Sequence, residues 1–233
     1  MSCNSYLYLI WKDPQTRRNF TVGKLCRGEK YTFEYCDEAD EAVACGWNKL
    51  DAFSGKQVYQ SDNLFPVFSS RLPDRKRRDI AKILEKYGLS EFDEFELLRK
   101  SQGRLPIDTY EFIDPIFSDE QTIEREFFVM GVRHTALCKG NDCHLLPAPA
   151  AGELLRLEEE RDNPYDPFAI RVLTKEGVHL GYVPRYYNQA VLDRLKKGMS
   201  YSCEVVEVHP DGNCSECIKV RLNMPKKAES KHQ

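Results

Sequence analysis

Two thirds of the way along, the chain reads Asn163-Pro164-Tyr165-Asp166-Pro167-Phe168-Ala169-Ile170-Arg171-Val172. The first four residues favour a turn, because Asn and Asp side chains bond their own backbone and Pro fixes φ. The apolar residues that follow predict a strand from Ala169 to Leu173. This part of the chain therefore contains a turn that leads directly into a strand.

Further short strands are predicted on both sides of this turn. They cover residues 127–132, 154–157, 178–183, 201–208 and 218–222. Tyr187, Val191 and Leu195 lie on one face of a predicted helix, which Gly198 closes. Six short strands with one helix indicate a small barrel rather than a βαβ sheet.

The first half of the chain also opens with strand patterns. Runs at residues 6–11 and 20–25 are followed by Tyr31, Phe33 and Tyr35, whose alternation predicts a strand with its aromatic residues inward. Ile80, Ile83, Leu84 and Tyr87 then follow helical spacing. Asp74 is the expected cap of this helix and Gly88 its left-handed end. A second short helix is predicted to stop at Gly103.

Residues 112–126 lose both periodicities and gather Pro, Asp and Ser, which is typical of a boundary. We therefore expect a module at 1–118, a linker at 119–126, a barrel at 127–224 and a flexible tail at 225–233. The predicted fold class is α+β and rich in β structure.

Charge restricts how the chain could bind nucleic acid. Among its 233 residues the formal net charge is −3, with 18 Lys and Arg against 21 Asp and Glu up to residue 120, then 16 against 16. A protein that coats duplex DNA through many phosphate contacts normally has a strong positive excess. Any nucleic-acid binding is expected to use few phosphates and a shaped pocket.

The sequence also predicts a compartment. The longest apolar run near the start covers residues 6–11, far below the roughly 20 residues of a spanning helix, and it lacks the features of a signal peptide. The cysteine count is nine, an odd number without framework spacing, as expected in a reducing environment. We therefore predict a cytoplasmic protein with no membrane contact.

The second half resembles the HIRAN domain over roughly residues 125–210. The resemblance lies in Leu155-Arg156-Leu157-Glu158, in the Asn-Pro-Tyr-Asp turn with its strand, and in Leu180-Gly181-Tyr182-Val183-Pro184-Arg185. It implies a modified oligonucleotide-binding (OB-like) barrel that recognises the 3′ end of single-stranded DNA. In that mode the terminal base lies between side chains and an acid holds the 3′-hydroxyl.

Carried over to this chain, the resemblance implies seven DNA-binding residues. They are Arg133, His134, Asn163, Tyr165, Asp166, Tyr182 and Arg185. Asp166 would accept a hydrogen bond from the hydroxyl and repel a phosphate, and Tyr165 would stack on a base. His134 stands where animal members carry an aromatic residue. In the structural alternative, Asn163 and Asp166 only shape a turn, Tyr165 covers the core, and the arginines are solvated surface charges.

The first half resembles the N-terminal subdomain of HipA-type toxin kinases over about residues 20–115. The matching stretches are residues 22–25, 31–35, 64–68 and 71–73. This resemblance implies a docking surface for a kinase-like or other protein partner; a purely structural companion to the barrel is the alternative. No phosphate loop or kinase catalytic segment occurs in the sequence, so phosphoryl transfer is not expected. The basic run at residues 75–78 is interpreted as a solvated helix face.

Metal binding and catalysis receive little support from the sequence. Cys214 and Cys217 have zinc-knuckle spacing, and Cys138, Cys143 and His144 could complete four ligands. The two groups lie about 70 positions apart, however, and the later pair also fits a plain hairpin, so we expect no cofactor. No nucleophile with a base, paired catalytic carboxylates or nuclease-like cluster stands out, and the acidic run at 158–160 is expected to be solvated.

The sequence thus predicts a non-enzymatic protein that binds a single-stranded DNA 3′-OH end and couples it to a protein partner, in a setting such as genome defence. The alternative is an antitoxin-like regulator of a HipA-type kinase, in a toxin-antitoxin system, with the barrel as a second interaction surface. A metal-dependent nuclease with an unrecognised site is a third class.

Overall fold

The computed structural model describes residues 5–117, 122–135, 149–209 and 216–225. The chain divides between Pro115 and Ile116 into two compact units, which we call the N-terminal unit and the C-terminal unit. The described residues of each unit form one antiparallel sheet. Within the described ranges, no helix has the length and apolar character that a membrane span requires.

The N-terminal unit is a five-stranded sheet with short helices. Its strands are β1 (Ser5–Lys12), β2 (Asn19–Arg27), β3 (Tyr31–Tyr35), β4 (Tyr59–Ser61) and β5 (Tyr110–Ile113), in the order β4-β3-β2-β1-β5. The helices are α1 (Glu38–Ala44), α2 (Pro66–Ser69), α3 (Ile80–Lys86) and α4 (Glu94–Ser101). The three strands predicted at the start of the chain are all present.

An aromatic cluster forms the core of this unit. The ring of Phe33 lies 4.4 Å from that of Phe53 and 5.1 Å from that of Phe68, centroid to centroid. Tyr31 and Tyr35 pack against the same core, so the inward direction predicted for the aromatic residues of β3 is confirmed. Offset and edge contacts of this kind add to the stabilisation that apolar burial provides.

The two helices predicted in this unit are present, but α3 begins later than expected. It starts at Ile80 rather than near Asp74, after a turn in which Arg77 donates to both carboxylate oxygens of Asp79 at 2.9 and 2.8 Å. Gly88 follows α3 with φ +67°, as predicted. Asp93 caps α4 by accepting the Glu96 N–H at 3.0 Å.

In its described residues, the C-terminal unit contains six strands, as many as predicted, and one α-helix. The strands are β6 (Ile123–Phe128), β7 (Leu154–Glu159), β8 (Ile170–Leu173), β9 (His179–Tyr182), β10 (Ser202–Val208) and β11 (Ile218–Met224), and the helix is α5 (Arg185–Lys196). Their order is β6-β11-β10-β7-β8-β9. The predicted α+β, β-rich class is therefore confirmed.

The strand predicted over 127–132 is wrong in its position. β6 ends at Phe128, and Gly131 takes φ +72°, which turns the chain into a short 3-10 helix at Val132–His134. A positive φ of this size favours glycine and interrupts an extended strand. Arg133 and His134 consequently lie on a tight turn rather than next to a strand end.

One pair of residues brings the two edge strands of this sheet together. Met130, just after β6, and Tyr182, at the end of β9, exchange reciprocal backbone hydrogen bonds of 2.9 and 2.8 Å. The neighbouring Gly181 has φ +146°, and a Cβ built there would lie 2.4 Å from the Met130 carbonyl oxygen. Only glycine permits this approach, which closes the sheet toward a barrel.

Candidate functional site

The loop between β7 and β8 holds the Asn-Pro-Tyr-Asp turn in a defined conformation. The Asn163 Oδ1 atom accepts the backbone N–H groups of Tyr165 at 2.9 Å and Asp166 at 3.1 Å. The Asn163 Nδ2 atom donates to the Glu160 carboxylate at 2.7 Å. Both ends of the Asn163 amide are therefore used to shape the turn.

Asp166 connects this loop to helix α5. Its Oδ1 atom accepts the Phe168 N–H at 2.9 Å, and its Oδ2 atom accepts a hydrogen bond from Asn188. Asn188 is only 2% exposed and lies on the first turn of α5. Each carboxylate oxygen has about two lone-pair sites, so Asp166 can still accept a bond from a ligand.

The loop directs an aromatic ring away from the protein. Tyr165 is 87% exposed, whereas Phe168, two residues after Asp166, is 38% exposed. The structural alternative in which Tyr165 covers the core is therefore wrong. The Tyr165 ring is therefore accessible to a ligand, on a loop that hydrogen bonds hold in place.

Tyr182 lies at the centre of a polar cluster beside the loop. Its hydroxyl group bonds to the Glu160 carboxylate, and burial together with Glu160 raises the pKa of Tyr182. Bonds from Asn163 and Tyr182 lower the pKa of Glu160, which therefore stays ionised. The His179 ring packs edge-on against the Tyr182 ring at 4.9 Å, and burial lowers the pKa of His179. At neutral pH the cluster combines one carboxylate with an uncharged imidazole.

Arg171 extends the cluster across three strands. It lies opposite Glu158 of β7 and Tyr182 of β9 in the strand register, and it forms an ion pair with Glu158. The outer face of β7, β8 and β9 thus carries alternating acidic, basic and phenolic groups in one row.

Arg133 and His134 adjoin Tyr182 through Gly131. A Cβ at Gly131 would lie 3.3 Å from the Tyr182 ring, so the turn passes close to that ring. Arg133 Nε and His134 Nε2 are 3.0 Å apart and both side chains are exposed. Two exposed nitrogen-rich groups therefore lie on the chain segment next to the Tyr182 ring.

Arg185 is the first residue of α5 and is exposed. Pro184 lies directly before the helix as its cap residue, with φ −55° and ψ 139°. Asn188 follows Arg185 by three residues and bonds to Asp166, so the start of α5 is tied to the loop. Arg185 is thus located at the end of the helix that contacts the turn.

The structure therefore gathers the seven candidate residues around one region. Asn163, Tyr165 and Asp166 share a loop, Tyr182 contacts that loop through Glu160, and the remaining three lie on segments next to Tyr182 or Asp166. Sequence analysis missed Glu160, Asn188, His179 and Phe168. Glu160 lies three residues before Asn163, and this spacing lets its carboxylate accept a bond from the Asn163 side chain. The spacing could have identified Glu160 from the sequence.

The candidate zinc ligands Cys138, Cys143, His144 and Cys214 lie outside the described residues. Cys217 and Cys203 are both buried, and burial raises the pKa of Cys203 to about 12. Cys26 is disulfide-bonded. Within the described ranges no three His, Cys, Asp or Glu side chains form a group that could hold a metal ion.

Comparison with known proteins assigns both halves of the chain. A family model of the HIRAN domain matches residues 124–224, and one of the HipA N-terminal domain matches residues 17–106. No curated protein matches the chain significantly.

Two solved structures are similar to part of the chain. The crystal structure of the HIRAN domain of human HLTF aligns with this chain at a TM-score of 0.34 and 14% sequence identity. The alignment covers 46% of this chain and 77% of the HLTF chain. The crystal structure of a protein from Lactobacillus plantarum aligns at a TM-score of 0.36 and 22% sequence identity. The alignment covers 46% of this chain and 97% of the Lactobacillus chain. On these two matches, the chain carries a HIRAN domain at residues 124–224, preceded by a HipA N-terminal domain at residues 17–106.

Proposed function

We propose that this chain is a non-enzymatic protein whose HIRAN domain binds the free 3′-OH end of single-stranded DNA. The HipA N-terminal domain would then bring a protein partner to that end, on broken, stalled or invading DNA. The presence of a HIRAN domain suggests DNA binding. The observation that carries the finer proposal is the fixed loop that presents an exposed Tyr165 ring directly beside the Asp166 carboxylate.

The chemistry of these two side chains fits a terminal nucleotide. An ionised carboxylate accepts a hydrogen bond from a 3′-hydroxyl and repels a 3′-phosphate, so it distinguishes a true end from a phosphorylated or internal position. Stacking of one base on the Tyr165 ring would contribute about 1–3 kcal/mol. His134 offers a smaller second ring for the other face of that base.

The charge of the protein supports a local mode of binding. The residues from 121 onward carry equal numbers of basic and acidic side chains, so the domain has no broad positive surface to hold a backbone. Arg133 and Arg185, both exposed, are the proposed contacts for the one or two phosphates nearest the end. We therefore expect affinity to depend on the end itself and only weakly on strand length.

Three labelled strands of one sequence test this proposal: one ending in 3′-OH, one ending in 3′-phosphate, and one closed into a circle. Fluorescence anisotropy should show binding to the 3′-OH strand that is about tenfold or more tighter than to the other two, since one charge-assisted bond contributes about 1.5–3 kcal/mol. Equal affinity for all three strands, or none for any, would contradict the proposal.

A second candidate function rests on the match of residues 17–106 to the HipA N-terminal domain. A protein with this domain could restrain a HipA-type kinase, with the HIRAN domain as a further contact. Adding the purified chain to such a kinase and following its autophosphorylation would support this role if the activity falls. Unchanged activity together with selective binding of 3′-OH strands would favour the first proposal.

A further inference from the structure

Helix α3 differs from the other helices of the N-terminal unit in how it is packed. Each of α1, α2 and α4 has at least one fully buried residue, and the adjacent α4 buries Phe95, Leu97 and Leu98 at 0% exposure. Among the helices of residues 5–117, α3 alone has none. The core of the unit therefore buries no side chain of α3 completely.

The apolar side chains of α3 are partly exposed, and their spacing places them on one face of the helix. Ile80, Ile83, Leu84 and Tyr87 follow the spacing i, i+3, i+4, i+7, so they form one apolar stripe along the helix. None of them belongs to the core cluster of the unit. A seven-residue helix is not stable alone in water and normally gains stability when another surface covers its apolar face.

Positive charges that form no ion pair lie next to this stripe in the sequence. Two of them contact rings, since Arg75 lies 5.8 Å from the centre of the Phe92 ring and Lys86 lies 5.5 Å from that of Tyr87. Arg77 is held by Asp79, but the other cations from residue 75 to residue 86 are exposed and have no carboxylate within ion-pair distance in the described part of the chain. These cations are Arg75, Lys76, Arg78, Lys82 and Lys86. This segment is strongly basic in a protein whose net charge is −3.

We propose that the α3 face, meaning the stripe of Ile80, Ile83, Leu84 and Tyr87 with its five flanking cations, docks an acidic amphipathic segment of a protein partner. The apolar stripe would receive the apolar residues of that segment, and the cations would face its Asp and Glu side chains. A nucleic-acid backbone could neutralise the cations but would leave the stripe uncovered. The inference deepens the partner-binding part of the proposed function and does not depend on recognition of a DNA end.

Two synthetic helical peptides test the charge requirement with the full chain. They share one stripe of Leu residues, and one peptide carries Glu on its flanks where the other carries Lys. Calorimetric titration should show at least about tenfold tighter binding of the Glu peptide, and this difference should shrink as salt is added because exposed charges are screened. Equal binding of both peptides, or binding of neither, overturns the proposal.

Two variants of α3 test the apolar requirement. Ile83→Asp adds a charge within the stripe, whereas Ala81→Asp adds the same charge at an exposed position of the same helix. Only Ile83→Asp should weaken binding of the Glu peptide, by about tenfold or more. Ile83→Asp should also have the lower melting temperature, because Ile83 is partly buried, but circular dichroism should show both variants folded at the temperature of the titration, and both should keep the 3′-OH strand affinity of the parent chain. If the two variants bind the peptide equally well, the stripe is not the docking surface.

Two further measurements identify other occupants of the α3 face. Sedimentation equilibrium that shows a dimer disrupted by Ile83→Asp would assign the stripe to a second copy of the chain and overturn the proposal. A circular single-stranded oligonucleotide that displaces the Glu peptide would assign the cations to phosphate, with the same consequence. Loss of 3′-OH selectivity with retained peptide binding would leave this inference standing and contradict only the DNA-end proposal.

Discussion

At the residue scale, Asp166 serves two purposes that must be separated by experiment. It accepts bonds from Phe168 and Asn188, which hold the loop, and it is also the proposed acceptor for a 3′-hydroxyl group. Replacing Asp166 by Ala would remove the bonds that hold the loop and the proposed acceptor for the hydroxyl group at the same time. Such a change should therefore also loosen the loop, because the loop would lose its bonds from Phe168 and Asn188 to Asp166.

Tyr165 offers a cleaner test, since its exposed ring contributes little to folding. Tyr165→Ala should weaken binding of a 3′-OH strand by about 1–3 kcal/mol, the usual contribution of one stacked base, and should leave the free energy of unfolding nearly unchanged. Tyr165→Phe retains the ring and should bind like the parent chain. Anisotropy titration and urea unfolding measure the two quantities. A large loss of stability in Tyr165→Ala would mean that the ring packs within the protein.

The side chains of the turn itself could be predicted, because Asn and Asp bond the nearest backbone N–H groups. Asn188 and His179 could not, since they reach the site only through the packing of α5 and β9. The sequence predicted that Glu160, as part of an acidic run, is solvated. Its carboxylate instead bonds to the side chains of Asn163 and Tyr182. Sequence spacing reveals local bonds, whereas bonds between elements require the fold.

At the scale of elements, Gly181 is the residue on which closure of the sheet depends. A Cβ there would lie 2.4 Å from the Met130 carbonyl oxygen and 2.8 Å from a Val129 methyl group. Gly181→Ala should therefore reduce the free energy of unfolding by about 3 kcal/mol and also weaken DNA binding, because Tyr182 would shift.

Gly198→Ala is the matched control for this change. Gly198 has φ +69° but no atom within 4 Å of an added Cβ, so only backbone strain of about 1 kcal/mol is expected. Urea unfolding of the two variants measures the difference. Similar losses in both would show that the approach of Met130 to Gly181 is not a constraint on the fold.

Periodicity was sufficient to predict most strands and helices, and it failed where a single backbone angle interrupts a pattern. The apolar run at 127–132 has the composition of one strand, yet Gly131 at φ +72° ends it. Similarly, Asp74 has the chemistry of a helix cap, but the helix begins six residues later, after a turn with an Arg77–Asp79 ion pair. Composition alone does not reveal which glycine interrupts a strand or which acidic residue precedes a helix.

At the scale of the whole molecule, the N-terminal unit contains a partly buried charge pair. Arg71 is 8% exposed in its side chain and donates to both oxygens of Asp108 at 2.8 and 2.7 Å, and to the Gly103 carbonyl at 2.7 Å. Burial alone would raise the pKa of Asp108, but the bonds from Arg71 lower it overall. The ionised form is thus favoured by folding.

Asp108→Asn should lower the free energy of unfolding at pH 7 by about 2–4 kcal/mol, because it leaves the Arg71 charge without its partner. A carboxyl group with a depressed folded pKa stabilises the protein above its unfolded pKa, near 3.9, and this contribution disappears as the pH falls through the folded value. The difference between Asp108→Asn and the parent chain should therefore shrink in acid.

Asp79→Asn is the control for the charge pair, since Asp79 and Arg77 are exposed and their pair should contribute no measurable stability. Urea unfolding at several pH values follows both variants. If the two units fold separately, Asp108→Asn should lower only one of two calorimetric transitions and Gly181→Ala only the other. A loss in Asp108→Asn that is the same at every pH would contradict the assigned role of its ionised form.

The ratio of affinities for 3′-OH and 3′-phosphate strands, measured in Asp166→Asn and Asn188→Ala, tests the role of the loop most directly. Asp166→Asn keeps one acceptor oxygen, so it can preserve only one of the bonds to Phe168 and Asn188, and it loses the charge. Asn188→Ala loses the bond between positions 166 and 188 but keeps the charge. We predict that the 3′-OH preference falls about tenfold or more in Asp166→Asn and persists in Asn188→Ala, even if overall affinity declines. A preference that survives in Asp166→Asn, or that disappears equally in both variants, would contradict recognition of the DNA end by the Asp166 carboxylate.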